Sequence, residues 1–210
     1  MDWNFDILER AKRYKLLVGL VVPRPIALVT TLGLSGVVNA APFSFFNVLG
    51  DEPPIVIISI EDRDSGAMKD SARNITDSGE FVVNLVDETI AREMHECSVD
   101  FPPDASELDA VGFTRAASVR VRPPRIAEAP VALECTLHSR IDIDARHLLI
   151  GQVRHMHVRD GIVDAATFRV RMDNYHPVGR LFANRYARTR DQFSLEANDY
   201  VERMRKAGRA

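Results

Sequence analysis

Residues Arg24–Asn47, RPIALVTTLGLSGVVNAAPFSFFN, decide the fold. Pro23 and Pro25 stop any preceding helix and force an extended lead into Ile26–Thr31, an apolar strand. Gly33 and Gly36 bracket a short turn, and Val37–Ala41 returns as the second arm of a hairpin. The loop Asn39–Asn47 then crowds Pro42, three phenylalanines and Ser44 together. Pro42 cannot donate to a ladder, so the amides that follow are left to point elsewhere. Aromatic rings beside free donors suit a flat ligand; the alternative is that Phe43, Phe45 and Phe46 are core filler.

Outward from this hairpin, Ile55–Ile60 is an uninterrupted apolar run between Pro53-Pro54 and a charged EDRD, which reads as a buried strand. Ser65–Ser78 has a helical pattern, with Gly79 where a helix C-terminus favours a left-handed residue. Phe81–Leu85 is a strand and Glu88–Cys97 a further helix. Residues 102–130 form an irregular, proline-rich excursion with one short strand candidate, Ser118–Val121. Val131–Ile143 and Leu148–Val158 read as a long antiparallel pair, followed by a short strand over Val163–Arg169. An N-terminal helix within residues 1–20 (Asp6–Leu17) and a charged helical tail over 194–210 flank the rest. Strands follow strands by short turns, so the expected fold is mainly β, an antiparallel barrel decorated with several α-helices, in a single domain over 1–210.

Bulk composition excludes some functions. With 27 Lys+Arg against 30 Asp+Glu, the net charge of -3 gives no basic footprint for nucleic acid. No apolar run is long enough to span a membrane, and the acidic start does not resemble an export signal. The two cysteines, Cys97 and Cys135, suit reduced thiols, and a cytoplasmic protein is expected. No G-x-G-x-x-G, P-loop or G-x-S-x-G pattern is present, so a nucleotide cofactor must be held by some other device.

Two stretches offer one. An isoalloxazine ring needs an apolar wall and donors along its polar edge, which Ser44 and the amides of Phe45, Phe46 and Asn47 would supply. In Ser59–Asn74 a strand runs into a helix through Ser59, Arg63 and Ser65, with Lys69 close by. A helix N-terminus plus a lysine suits a phosphate; an ordinary capped helix with a solvated lysine is the alternative.

Together the blocks RPIALVTT (24–31), Gly36-x-x-Asn39-x-Ala41-Pro42-Phe43-Ser44-Phe45-Phe46-Asn47, Pro53-Pro54, Lys69-Asp70-Ser71-x-x-Asn74-Ile75 and EFVVN (80–84) resemble the flavin reductase-like, FMN-binding split-barrel family. Leu133-Glu134-Cys135 and Gly151-Gln152-Val153 extend the likeness to about residue 185. The resemblance implies a six-stranded Greek-key split barrel, a homodimer, and FMN (with FAD as an option) as cofactor. By position it places the cofactor against Arg24, Thr30, Asn39, Ala41, Pro42, Ser44, Phe45, Phe46 and Asn47. Ser59, Ile60 and Glu61 would lie beside the ribityl chain, with Lys69 and Asp70 at the phosphate. Ser71 stands where the family commonly has Thr. His176–Leu181 is similar to the family's closing segment, although Phe182-Ala183 replaces its glycines. His147 is a candidate contact for the nicotinamide of NADH or NADPH.

The activity implied is NAD(P)H-dependent reduction of flavin, for a partner monooxygenase, or of another small acceptor. The rival is an FMN-carrying electron-transfer protein without a pyridine-nucleotide site. No catalytic acid or base is assigned, because hydride transfer asks chiefly for geometry. No metal is expected: His155 and His157 share a strand face but lack a third ligand. Cys97 reads as a buried thiol, and Asp142 and Asp144 as turn and edge residues.

Overall fold

Branched apolar residues at alternate positions put one face of each strand into a shared interior. The computed structural model describes residues 1–102, 105–195 and 198–208. In chain order the elements are α1 (Arg10–Leu20), β1 (Ala27–Leu32), β2 (Val38–Phe43), β3 (Phe46–Asp51), β4 (Pro54–Glu61), α2 (Asp70–Ser78) and β5 (Glu80–Leu85). There follow α3 (Ala91–Glu96), α4 (Glu107–Ala110), β6 (Arg115–Ala116), β7 (Arg125–Ile126), β8 (Val131–Ile143) and β9 (Arg146–Val158). The chain closes with β10 (Val178–Arg180), β11 (Tyr186–Arg188) and α5 (Asn198–Lys206).

The main sheet is antiparallel throughout and has seven strands, in the order β2-β1-β5-β8-β9-β4-β3. Its two edge strands, β2 and β3, are consecutive in the chain and separated by Ser44 and Phe45 alone. Two residues span so little distance that the sheet must curl until its edges meet at this corner. No ladder joins β2 to β3 among the described residues, so the cylinder is split there and not hydrogen-bonded shut. The expected count of six strands is corrected to seven, because the chain does not stay irregular through Asn47. Phe46 and Asn47 instead start β3, in register with Ile58 and Ile57.

The interior of the curl holds Val29, Ile58, Phe81, Val83, Leu133 and Leu149. A second core lies outside the first half of the sheet, where Leu28, Val38 and Ala40 meet Met94 of α3 and Leu108 of α4. β1 and β5 are therefore buried on both faces, whereas β4 alternates. Ile55–Ile60 is thus a half-buried strand, not a fully buried one: Val56, Ile58 and Ile60 point inward, and Ile55 and Ile57 do not. Gly151 of β9 lies directly against Phe81, so close that a β-carbon there would sit 2.3 Å from the ring.

Local signals fixed some boundaries better than others. Gly79 adopts φ +70° and returns its N–H to the Ile75 carbonyl at 2.9 Å, ending α2 as expected. α2 starts at Asp70, later than Ser65, because Arg63 and Ala67 close a hydrogen-bonded turn first. α1 likewise starts at Arg10 and runs to Leu20. Val163–Arg169 is not a strand; a single bridge pairs Val163 with Val170. In the excursion, Ser118–Val121 is not a strand, residues 119–121 forming bends, and Arg115–Ala116 pairs with Arg125–Ile126 instead. Its anchor is Glu134, fully buried on β8, which accepts from the Val119 amide at 2.8 Å, the Arg120 amide, and His157 Nε2 at 2.6 Å. Burial alone would push this carboxyl up, but His157 and the two amides outweigh it and hold the pKa below the usual value. Of the expected tail, residues 196, 197, 209 and 210 lie outside the described residues.

Candidate functional site

β2, the N-terminus of α2, Tyr14 of α1 and Arg180 of β10 enclose a cavity of about 470 Å³. That volume is in the range of small-molecule and cofactor sites. Two smaller recesses adjoin it. One shares Asn39, Asp70 and Glu107 with the main cavity; the other shares Pro42, Phe43 and Arg180. The cavity therefore runs from the α2 end, past Ala41 and Pro42, to Arg180.

The α2 end carries groups that could hold an anion. Lys69 is the N-cap residue of α2, is half-buried, and has no ion pair among the described residues. Among the described residues no side chain caps this helix end, so its first N–H groups and its positive dipole end are open to a ligand. Arg63 leans on Asp70 and on Asp100, the latter at 3.1 Å, and Asp70 also pairs with Arg73. Asp70 thus positions two guanidiniums and is not itself suited to touch a phosphate. Asn39 meets the Ser71 hydroxyl at 2.8 Å; turned with its oxygen there, its nitrogen reaches Glu107 Oε1 at 3.3 Å, and we assign that orientation. Glu107 Oε2 accepts from the Ala40 amide at 2.9 Å, and burial holds its carboxyl above the usual range.

The Phe-rich corner does not form one aromatic wall. Phe46 is buried in the core and Phe43 packs half-buried against it. Phe45 is the most exposed of the three, with Arg146 and Arg24 at 5.2 and 5.9 Å from its ring centroid. The reversal at Ser44–Phe45 sends neighbouring rings to different sides. Ser44 Oγ accepts from Arg24 Nε at 3.3 Å, and exposed Asn47 accepts from the Val48 amide at 2.9 Å.

Several predicted contacts lie elsewhere. Thr30 is fully buried under the excursion, donating to the Pro124 carbonyl at 2.6 Å, so no ligand reaches it. Ile60 is a core residue. Ser59 and Glu61 are both held by Arg146, at 3.3 and 2.6 Å, on the side of the sheet away from that core. Arg24 is a structural clamp: it donates to the carbonyls of Val18 (2.6 Å), Val21 (2.8 Å) and Leu181 (2.9 Å), tying the end of α1 to the closing segment. A cation at those terminal carbonyls also complements the helix dipole. Burial, then Arg180, lowers its pKa from the ordinary guanidinium value.

His147, the candidate nicotinamide contact, is held by other side chains. It is buried, with Nδ1 2.7 Å from Asp142 and Nε2 2.8 Å from Asp62, so both ring nitrogens are spent. Burial disfavours its charge, but the bonds to Asp142 and then Asp62 prevail and raise the pKa above the ordinary histidine value. Such a group stabilises the fold fully below its unfolded pKa of about 6.5 and loses that contribution as pH rises through the higher folded value. The melting temperature of the parent should therefore fall over that window more than that of His147→Gln does; parallel profiles in thermal melts would refute the bonds from His147 to Asp142 and Asp62.

The chain matches, over residues 19–179, the profile described as flavin reductase like domain. It belongs to that family. Among solved structures, this flavin reductase-like chain is similar to the 2-nitrobenzoate 2-nitroreductase NbaA of Pseudomonas fluorescens, with 40% identity, TM-score 0.87, and 94% and 96% of the two chains covered. It is also similar to nitrilotriacetate monooxygenase component B from Bacillus cereus, with 33% identity, TM-score 0.89, and 93% and 98% covered. An uncharacterized protein of Aquifex aeolicus is 40% identical over 183 residues, 87% of this chain and 93% of the relative.

Sequence reasoning missed Tyr14, Glu107, Arg180 and residues 98–101, all of which line this flavin reductase-like cavity. Arg180 lay within the quoted closing segment; Tyr14 and Glu107 carried no local signal. Cys97 also borders it, its thiol pushed up to about 12 by burial and then by Glu107, so it is inert as a nucleophile. Among the described residues no cluster could hold a metal ion, and His157 is spent on Glu134. No described helix is long and apolar enough to cross a membrane.

Proposed function

We propose that this chain is an FMN-binding oxidoreductase that takes a hydride from NADH or NADPH and passes electrons to flavin or another small acceptor. The observation that carries the reading is Lys69: a half-buried ammonium without a counter-ion among the described residues, at an uncapped helix N-terminus, on the wall of a cofactor-sized cavity. That donor set fits a phosphate monoester, and Ala41, Pro42 and Phe43 fit the flat ring beyond it. Bound flavin would supply reversible hydride and single-electron chemistry. The protein's share is to hold the phosphate with Lys69 and the α2 amides, to back the ring with β2, and to set Arg180 and Tyr14 at the far end.

The acceptor follows from the relatives in two forms. A protein named as a monooxygenase component B points to a partner oxygenase, and one named as a nitroreductase points to direct reduction of a small organic oxidant. One observation favours an electron carrier with no pyridine-nucleotide site: His147, the residue offered for the nicotinamide, is committed elsewhere. Anaerobic mixing of FMN-loaded protein with NADH and with NADPH decides between them. Bleaching of the flavin band by either supports the reductase; none with either leaves the carrier.

We also propose a homodimer. The outer face of β4, β9 and β8 carries Ile57, Leu148, Ile150, Ile141 and Ile143, the last two 49% and 54% exposed. A contiguous apolar sheet face of this kind calls for a covering surface. Ile141→Glu should shift the sedimenting species from dimer to monomer; a wild-type monomer at micromolar concentration would end the proposal.

A further inference from the structure

Three polar side chains along one wall of the main cavity touch end to end: Glu107 of α4, Asn39 of β2 and Ser71 of α2. Glu107 is 9% exposed and Ser71 2%, so neither can rely on solvent for partners. The Ala40 amide donates to Glu107 Oε2 at 2.9 Å. Oε1 lies 3.3 Å from one end of the Asn39 amide, and the other end lies 2.8 Å from Ser71 Oγ.

One proton fixes the direction of every hydrogen bond along this chain. With Glu107 ionised, Oε1 can only accept, so Asn39 turns its NH2 toward it and its oxygen takes the Ser71 hydroxyl hydrogen. Ser71 then shows a ligand only lone pairs. With Glu107 protonated, Oε1–H donates to the Asn39 oxygen, the Asn39 NH2 donates to Ser71 Oγ, and the Ser71 O–H is released. The Ala40 amide stays on Oε2 in both arrangements. The two ends of an amide have nearly the same shape, so both arrangements fit one packing. Ser71 follows Lys69 and Asp70 into the first turn of α2, at the end assigned above to a phosphate. There a donating hydroxyl attracts an anion, and bare lone pairs repel it.

We propose that Glu107 is a proton switch on the phosphate end of the cavity: a proton taken from solvent, relayed by reversal of the Asn39 amide, turns Ser71 into a donor and lets phosphate seat. Glu107 acts through Asn39 and Ser71, so it is a positioning residue. Its role rests on the phosphate reading of Lys69 and α2.

The surroundings keep that proton exchange local. Burial pushes the Glu107 carboxyl up, the Ala40 amide and Arg63 pull it down, and Asp70 adds to the rise, leaving it above the ordinary range. Asp70 is compensated by Arg63 and Arg73, and Asp100 by Arg63. Asp109, on the same short helix, pairs with Arg115. Cys97 of α3 stays a neutral thiol. Lys69, Tyr14 of α1 and Arg180 of β10 complete the ionisable lining of the main cavity, and Asp77 that of the adjoining recess. β2, which carries Asn39 and Ala40, brings no titratable group.

Glu107→Gln imitates the protonated arrangement, because its NH2 donates to Asn39 while its oxygen keeps the Ala40 amide. FMN, riboflavin and inorganic phosphate are titrated calorimetrically into the full chain and E107Q, between about pH 5 and about pH 8, in buffers of differing ionisation enthalpy. The FMN phosphate titrates near pH ~6 itself, so the difference between parent and variant is what reads the switch. Relative to E107Q, the parent should lose about tenfold in FMN affinity as pH rises through the window. At the steepest point of that fall it should take up about half a proton more per FMN bound. Inorganic phosphate should show the same difference, riboflavin none, and in a Ser71→Ala background Glu107→Gln should change nothing. Parallel FMN profiles for parent and E107Q, riboflavin profiles that part equally, or an effect of Glu107→Gln that survives Ser71→Ala would each overturn the proposal. If E107Q does not fold, the parent against Ser71→Ala makes the same comparison, the parent losing affinity with pH and the variant not. Failure to take up FMN at any pH would defeat the flavin reading, and inorganic phosphate would still decide the switch.

Discussion

Lys69→Ala should lower FMN affinity by roughly ten- to a hundredfold at low salt, the worth of a charge-assisted contact to phosphate. Lys69 has no ion pair among the described residues, so truncating it breaks no native salt link and should leave thermal stability nearly unchanged. Two controls make the result specific. Riboflavin lacks the phosphate, so its affinity should be the same for the variant and the parent. Added salt should narrow the FMN gap by screening the partly exposed ammonium. Flavin fluorescence quenching measures all four affinities. An FMN affinity that does not change, or a riboflavin affinity that falls equally, would take Lys69 out of the site.

The second large effect concerns stability. Gly151→Ala places a methyl group where the Phe81 ring already is, 2.3 Å from one ring carbon and 2.8 Å from another. Phe81 is fully buried among Val83, Leu133 and Leu149 and cannot swing away without displacing them. Overpacking of this kind costs about 3 kcal/mol. Denaturant unfolding should show that loss, and the double variant with Phe81→Leu should recover part of it. If Gly151→Ala melts like the parent, the packing described for the barrel interior is wrong.

How much of this was legible in the sequence depended on range. The strand at Ile26–Thr31, the glycine ending α2 and the long β8–β9 pair are local matters, and periodicity and turn chemistry revealed them. Arg24 and His147 were also visible, but their partners were not. Arg24 finds the carbonyl of Leu181, and His147 finds Asp62, far along the chain. A titratable side chain with buried polar neighbours satisfies them first, and no spacing rule discloses which ones it will meet. Glu134 repeats the point: its block was recognised, yet its task, gathering the Val119 and Arg120 amides under a proline-rich excursion, emerges only in three dimensions. The three phenylalanines misled for the opposite reason. They are adjacent in sequence, but a two-residue reversal divides them among core, cavity and outer surface.

That reversal at Ser44–Phe45 has a mechanical consequence. Because covalent linkage and, among the described residues, no ladder brings β2 and β3 together, the seam can widen or narrow by torsion about a few bonds without breaking a ladder hydrogen bond between them. Guests of different thickness can then be accommodated by breathing along one line while the remainder of the cylinder stays stiff. Isotope exchange at the amides bordering that line should respond to ligand more strongly than anywhere along β5 or β8.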